Sequence, residues 1–224
     1  MACSIFLFGS PFFSVFLTNK NQSFYAILVV CFGSLAWILE RNRRLSCFWP
    51  AAFAFFIASV ALLFLSTGFL NLPSDPLNPV RAIALDKVSQ ALHIVPIILL
   101  MTFLVREDLM NLYIARGDLR ASLTFGLISF AGFAIASIVI ELPSNELAGN
   151  LIRYLPWTLL FVFMNSLMEE LWFRAIFLRK FDALIGRWPA IIVTSIVFGV
   201  SHMNVTYAFP GGGYLVVSSL DWAW

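Results

Sequence analysis

The chain alternates between long apolar runs and short polar connections. A transmembrane helix needs about 20 mostly apolar residues, and most of these runs approach that length. The pattern therefore predicts an all-α fold, a polytopic bundle of about seven to eight transmembrane helices. The predicted apolar segments are Ser4–Leu17, Phe24–Leu39, Phe48–Leu70, Leu85–Val105, Ala121–Ile140, Leu151–Phe181, Pro189–Met203 and Tyr214–Trp224.

Two of these segments have unusual lengths. Leu151–Phe181 is longer than a bilayer requires, whereas Tyr214–Trp224 is too short to cross one. We expect the latter to be the beginning of a helix that the end of the sequence cuts off. Gly211–Gly213 lies just before it and lacks the lysine and hydroxyl of a phosphate-binding loop, so we expect a flexible connector there.

Composition supports a membrane protein. Hydrophobic residues make up 61% of the chain and charged residues 12%, with a mean hydropathy of +0.90. Soluble domains are about half apolar and one quarter charged. The three cysteines are widely spaced and form no CxxC motif, so we interpret them as small apolar side chains rather than metal ligands or disulfides.

The charges in the connections predict a topology. Basic residues concentrate in 40–44, in 106–120 and after Arg174, which the positive-inside rule assigns to the cytoplasm. The proline-rich connection 71–79 and the acidic connection 141–150 then lie outside. The lipid bilayer is thus an expected partner. The basic connections are short and carry no interleaved aromatic residues, so we expect no nucleic-acid binding.

Ionisable residues at the end of the long apolar segment are the candidates for chemistry. Glu170 and Arg174 are spaced i,i+4 with the acid first, the favourable order for a helical ion pair. Glu169 lies about 100° further around the helix, so it stays available as a general base for water. In the next segment, His202 shares a face with Phe198, where an imidazole could stabilise an oxyanion or transfer a proton.

A plainer interpretation is also open. Charge clusters are common where a span ends, so Glu169 and Glu170 could mark the cytoplasmic boundary with Arg174 as counter-ion, and His202 could be interfacial. His202 lies about 20 Å along its helix from Pro189. Glu169 and His202 therefore meet only if Glu169 lies well inside the bilayer.

The two charge patterns resemble the motifs of a known family. Glu169-Glu170-x-x-x-Arg174 resembles the EExxxR motif, and Phe198-x-x-x-His202 the FxxxH motif, of the CPBP family of intramembrane proteases, which includes the Rce1-like CAAX proteases and the bacterial Abi proteins. The resemblance begins near Arg116. It predicts N-terminal transmembrane helices in 1–115 and a protease core in 116–224. The core is incomplete at its C-terminus, because no histidine followed four residues later by asparagine comes after His202.

The resemblance implies an intramembrane endopeptidase that hydrolyses peptide bonds of membrane-associated proteins or peptides, in the bacterial inner (plasma) membrane. Glu169 would activate water, His202 would assist, and Glu170 and Arg174 would support them. The cofactor stays open between a divalent metal such as zinc, held by Glu169 and His202, and none. The alternatives are an inactive scaffold or bacteriocin self-immunity protein of the same fold and, more remotely, a proton relay or transporter, which no internal repeat supports.

Overall fold

The computed structural model describes residues 21–73, 78–105, 120, 124, 127–128, 147–202, 206–208 and 214–216. Apart from one short pair of strands, these residues form a helix bundle, so the prediction of an all-α transmembrane fold is confirmed. The elements are α1 (Gln22–Arg41), a 3₁₀ turn (Ser46–Phe48), α2 (Trp49–Ser66), α3 (Pro79–Leu104), α4 (Leu147–Glu169), a π-helical segment (Glu170–Leu178), α5 (Arg179–Ile185), α6 (Arg187–His202), β1 (Thr206–Ala208) and β2 (Tyr214–Val216).

Three helical stretches among the described residues are long and apolar enough to cross a membrane: Gln22–Arg41, Ser46–Ser66 and Val80–Leu104. Large apolar side chains such as Ile27 and Val30 are exposed on α1, as expected where lipid replaces water as the solvent. The chain is therefore an integral membrane protein. The predicted segment Ser4–Leu17, nearly all of Ala121–Ile140 and the boundary between 115 and 116 lie outside the described residues.

Polar caps determine where two of these helices begin. The Asn21 side chain accepts a hydrogen bond from the Phe24 N–H at 3.0 Å, and the Asn78 side chain accepts one from the Arg81 N–H at 3.0 Å. Each cap satisfies an N–H group that a helix start leaves without a partner. Because Asn78 precedes a proline at the first helical position, α3 starts at Pro79 rather than at the predicted Leu85.

Aromatic contacts join the N-terminal and C-terminal helices into one core. Phe32 of α1 stacks on Phe55 of α2 with ring centroids 5.0 Å apart. Phe55 in turn contacts Phe177 at 5.4 Å and Phe181 at 6.1 Å. Phe55 and Phe177 are fully buried. The π-helical segment is therefore held against α2 from its core-facing side.

His93 fixes the connection after α2 to α3. Its Nδ1 lies 2.7 Å from the Ser89 carbonyl, which can only accept, so Nδ1 carries the proton. Its Nε2 then accepts the Leu70 N–H at 3.1 Å, and the Ser89 hydroxyl accepts the Leu72 N–H at 2.9 Å. Since this imidazole is fully buried and both nitrogens are engaged, His93 is structural.

The last described residues correct one prediction. Tyr214–Val216 forms a strand that pairs antiparallel with Thr206–Ala208, with Tyr207 opposite Leu215, where the sequence predicted the start of a helix. Tyr, Leu and Val suit a strand as well as a helix in so short a run, and the preceding Pro210-Gly211-Gly212-Gly213 sequence favours a turn. The apolar pattern alone did not distinguish these outcomes.

Candidate active site

The helix that carries the candidate residues is continuous but not uniform. It extends from Leu147 to Ile185, so the prediction of one long helix is confirmed. The α-helical spacing predicted for its whole length is wrong over Glu170–Leu178, which is π-helical. The Arg179 N–H donates to the Arg174 carbonyl five residues earlier, the pattern of a π-helix. Single π turns occur frequently at functional sites.

Two buried aromatic residues explain the wider turn. Trp172 and Phe177 are five residues apart, which an α-helix would place about 140° from each other. In the π-helical segment both rings are buried, in an edge-on contact with centroids 6.3 Å apart. The extra residue per turn thus lets Trp172 and Phe177 contribute to the same core.

The predicted ion pair between Glu170 and Arg174 is present on the exposed face. The Arg174 Nη1 lies 2.8 Å from Glu170 Oε1 and 2.9 Å from Oε2, and the side chains of Arg174 and Glu170 are 55% and 53% exposed, respectively. Exposed pairs with this spacing contribute only about 0.3–0.5 kcal/mol. This pair is therefore a weak contributor to stability and lies away from the core.

Glu169 belongs to a different face of the same helix. It is half-buried and shares a stripe with Asn165, Trp172 and Ile176, of which the last two are buried. The Asn165 Oδ1 is inaccessible and has no hydrogen-bond partner among the described residues. Two adjacent carboxylates therefore differ in environment, since Glu170 is exposed and Glu169 lies on a polar patch of the inward face.

Sequence reasoning missed a cation beside Glu169. The ammonium of Lys87, on α3, is close enough to Glu169 and to Asp86 for electrostatic attraction to both. Spacing along the helix paired Arg174 with Glu170 and assigned no cation to Glu169. A lysine within an apolar span is itself a signal, because such residues are rare and are usually paired or functional. Its partner on another helix could not be read from spacing.

The backbone of α6 returns to the level of Glu169. One residue, Gly186 with φ +85°, separates α5 from α6, and α6 packs back on α5 and the π-helical segment. Phe173 and Phe198 meet edge to face with centroids 5.0 Å apart. Glu169 lies four residues before Phe173, and His202 lies four residues after Phe198. Each is therefore about one helical turn away from the aromatic contact.

The contact between Phe173 and Phe198 decides whether Glu169 and His202 can lie at the same level along their helices. The level of His202 along α6 corresponds to that of Glu169, although about 20 Å of helix separate His202 from Pro189. The structure brings the backbones of both motifs to one end of the hairpin. The position of the His202 side chain lies outside the described residues.

A metal centre is not formed by the described residues alone. No three His, Cys, Asp or Glu side chains among them are close enough to share a metal ion. A catalytic zinc ion takes three protein ligands, so Glu169 and His202 would need a further ligand from another part of the chain. No step below is routed through a metal.

Comparison with known proteins identifies one family. The model of the family described as type II CAAX prenyl endopeptidase, Rce1-like, matches residues 151–224. This last third of the chain contains Glu169, Glu170, Arg174 and His202, so the resemblance inferred from the two motifs is confirmed over this range. No curated protein and no solved structure matches the chain.

Proposed function

We propose that this chain, whose residues 151–224 match the Rce1-like family of type II CAAX prenyl endopeptidases, is an intramembrane endopeptidase in which Glu169 activates water. At the level of the family the match supports a membrane peptidase. The glutamate mechanism, the residue roles and the substrate are the parts proposed here.

One observation carries the proposal. The contact between Phe173 and Phe198 sets a register in which Glu169 and the end of α6 share one level. Hydrolysis of an amide needs a base for water and a group that stabilises the oxyanion or protonates the leaving amine. A carboxylate and an imidazole entering from two adjacent helices can supply both functions.

The reaction follows from these two groups. Glu169 accepts a proton as the water oxygen attacks the peptide carbonyl carbon, which produces a tetrahedral oxyanion. His202 stabilises that oxyanion or takes part in proton transfer. The proton held by Glu169 then passes to the amide nitrogen as the C–N bond breaks, releasing a carboxylic acid and an amine. General acid–base catalysis of this kind contributes about 10²–10⁴-fold.

Glu170 and Arg174 support the site from outside. Their ion pair spans the first turn of the π-helical segment, directly after Glu169. It thereby helps to hold the turn that directs Glu169 inward and Glu170 outward. We assign these two residues a supporting role rather than contact with the reacting atoms.

The setting limits the substrate to proteins or peptides that reach the site through the bilayer. The candidate residues are carried by apolar helices, so a lipid anchor or a transmembrane segment would bring the scissile bond to them. We propose membrane-anchored substrates and a location in the bacterial inner membrane, with no role for nucleic acid.

The test uses the full chain in liposomes with two fluorogenic peptides, one carrying a C-terminal prenylated CAAX sequence and one anchored by an N-terminal palmitoyl chain. We expect the wild type to cleave at least one of them. Glu169→Ala and His202→Ala should abolish that cleavage. Glu40→Ala, which removes an exposed carboxylate at the end of α1, is the matched control and should leave it unchanged.

Unchanged cleavage by Glu169→Ala would overturn the mechanism. If the wild type cleaves neither peptide while cells expressing Glu169→Gln keep protection against a bacteriocin, the inactive immunity protein of the same fold becomes the better interpretation. Circular dichroism of each variant in detergent separates loss of chemistry from loss of folding.

A further inference from the structure

Contacts between side chains give the relative depths of α2 and α3. Phe64 of α2 contacts His93 of α3, with ring centroids 5.1 Å apart. Leu72, which follows α2, donates its N–H to the hydroxyl of Ser89, which precedes His93 in α3. The two helices are therefore antiparallel, and Phe64 and His93 lie at one level, from which depths along both helices can be counted.

Two further contacts fix the direction of the long helix formed by α4, the π-helical segment and α5. The Arg81 guanidinium, at the start of α3, lies 5.0 Å from the centre of the Trp157 ring. Phe55 of α2 contacts Phe177 with ring centroids 5.4 Å apart. The path from Arg81 along α3 and α2 to Phe55 covers about 30 Å, and so does the helix from Trp157 to Phe177. Both contacts can form together only if this long helix runs antiparallel to α2.

Two connections consequently lie at the same end of the bundle. Ser46 lies nine residues before Phe55, and Gly186 lies nine residues after Phe177. Because the two helices are antiparallel, both connections lie about 13 Å beyond the aromatic contact, in the same direction. The positive-inside rule places this end on the cytoplasmic side. Four exposed arginines flank or belong to these connections, and we call them the arginine end: Arg41, Arg43, Arg44 and Arg187.

The connection between α1 and α2 has a defined backbone. The Asn42 side-chain oxygen accepts the Arg44 N–H at 3.0 Å, and the Ser46 hydroxyl donates to the Arg43 carbonyl at 3.3 Å. These bonds hold the backbone that carries Arg43 and Arg44 before any ligand binds. Such preorganisation lowers the entropic cost of binding.

Tryptophan residues place the arginine end at the level of lipid headgroups. Trp37 and Trp188 are 54% and 74% exposed, and the Arg41 guanidinium lies 4.1 Å from the centre of the Trp37 ring. Trp49, the first residue of α2, stacks on Phe53 with ring centroids 5.0 Å apart. Tryptophan is enriched at the boundary between hydrocarbon and water. The arginines therefore lie beside the phosphate layer of the bilayer.

The charge of the arginine end is not neutralised by neighbouring side chains. Within the part of the chain that the structure describes, none of the four guanidinium groups forms an ion pair with a carboxylate. The acidic residues closest to them in the chain are Glu40 and Asp182. A guanidinium group can bind two phosphate oxygens at once through parallel hydrogen bonds, so the free arginines match the chemistry of lipid phosphates.

We propose that the arginine end is a binding surface for the phosphate groups of anionic phospholipids in the inner leaflet. Its depth and the exposed tryptophans beside it favour a lipid over a soluble acidic protein. Lipid bound there contacts both connections and stabilises the packing of α1 and α2 on α5 and α6. The inference does not depend on catalysis, because none of these residues belongs to the candidate active site.

Thermal unfolding of the full chain in a nonionic detergent tests the proposal. A ligand that binds only the folded chain raises its unfolding midpoint. We expect phosphatidylglycerol added to the micelles to raise the midpoint, and phosphatidylcholine, which has no net charge, to raise it much less. Each basic residue near an anionic lipid surface strengthens binding about fivefold. Arg43→Gln with Arg44→Gln should therefore increase the mole fraction of phosphatidylglycerol that gives half of the shift by about 30-fold.

Two further variants complete the experiment. The matched control, Arg81→Gln with Arg153→Gln, removes two exposed arginines from the opposite end of the bundle and should leave that mole fraction unchanged. Arg41→Gln with Arg187→Gln takes one arginine from beside each connection and should give an increase similar to that of the first pair. The test therefore does not depend on the folding of a single variant.

Three results would overturn the proposal. Equal shifts with the two lipids would show that the phosphate charge is not recognised. Equal losses in the control and in both arginine-end variants would show a response to overall charge rather than to this surface. If inorganic phosphate or a polyglutamate peptide reproduces the shift without added phosphatidylglycerol, the surface binds a soluble anion or an acidic protein instead of a lipid.

Discussion

Glu169 and Glu170 are adjacent in the chain and differ in almost every physical respect. Glu170 is exposed and bound to a cation of its own helix, Arg174. Glu169 is half-buried, next to Trp172 and Asn165 on the inward stripe, and its cation, Lys87, comes from another helix. The two carboxylates therefore lie on separate faces of one helix, and we expect only Glu169 to be able to act on a substrate inside the bundle.

Neutralising each carboxylate gives the largest expected contrast. Glu169→Gln keeps the shape and removes the base, so we expect kcat to fall by on the order of 10²–10⁴-fold. Glu170→Gln removes one partner of an exposed ion pair worth about 0.3–0.5 kcal/mol, which corresponds to about twofold. Peptide cleavage in liposomes measures both. Equal losses of kcat in the two variants would show that the two faces of the helix do not differ in their contribution to cleavage.

Replacing one aromatic residue on each face of the helix by alanine should change the free energy of unfolding by different amounts. Phe177 is fully buried against Phe55, Phe181 and Trp172, and we expect Phe177→Ala to cost about 3–5 kcal/mol. Phe163 is 63% exposed on the outward face, and its replacement by alanine should cost less than about 0.5 kcal/mol.

Reversible unfolding in mixed detergent micelles measures this contrast. A large cost for Phe163→Ala would mean that the outward face is covered in the native protein. The exposed ion pair would then lie at an interface rather than at a free surface.

The smallest expected effect concerns Arg174. Arg174→Met breaks the exposed pair with Glu170, so the free energy of unfolding should fall by about 0.3–0.5 kcal/mol and less at high salt, which screens exposed charges. Unfolding at low and high salt measures the change. A salt-independent loss of several kcal/mol would show that this pair is buried in the functional state.

Local spacing predicted the features that one helix determines by itself. The predicted spans agree with α1, α2 and α6 to within about four residues, α3 begins six residues earlier than predicted, and the i,i+4 rule gave the contact between Glu170 and Arg174. These depend on apolar length and on the neighbours of each residue along a helix, which the sequence displays directly.

Features that need two elements were not predictable in the same way. The electrostatic attraction between Lys87 and Glu169 joins α3 to α4, which no spacing within one segment reveals. The π-helical segment results from Trp172 and Phe177 sharing a core with Phe55, so tertiary packing overrides the regular period. The strand Tyr214–Val216 depends on its pairing with Thr206–Ala208.

The connection at Gly186 has a consequence for the order of assembly. Its φ of +85° and ψ of 161° belong to a region that only glycine adopts readily, and the reversal takes a single residue. Bringing Glu169 level with the end of α6 therefore closes a short loop and costs little chain entropy, whereas the contact of Phe177 with Phe55 joins distant parts of the chain. The N-terminal helices are synthesised before the hairpin. We expect the hairpin to close faster than it docks on them, so the level of Glu169 would be set before the common core is complete.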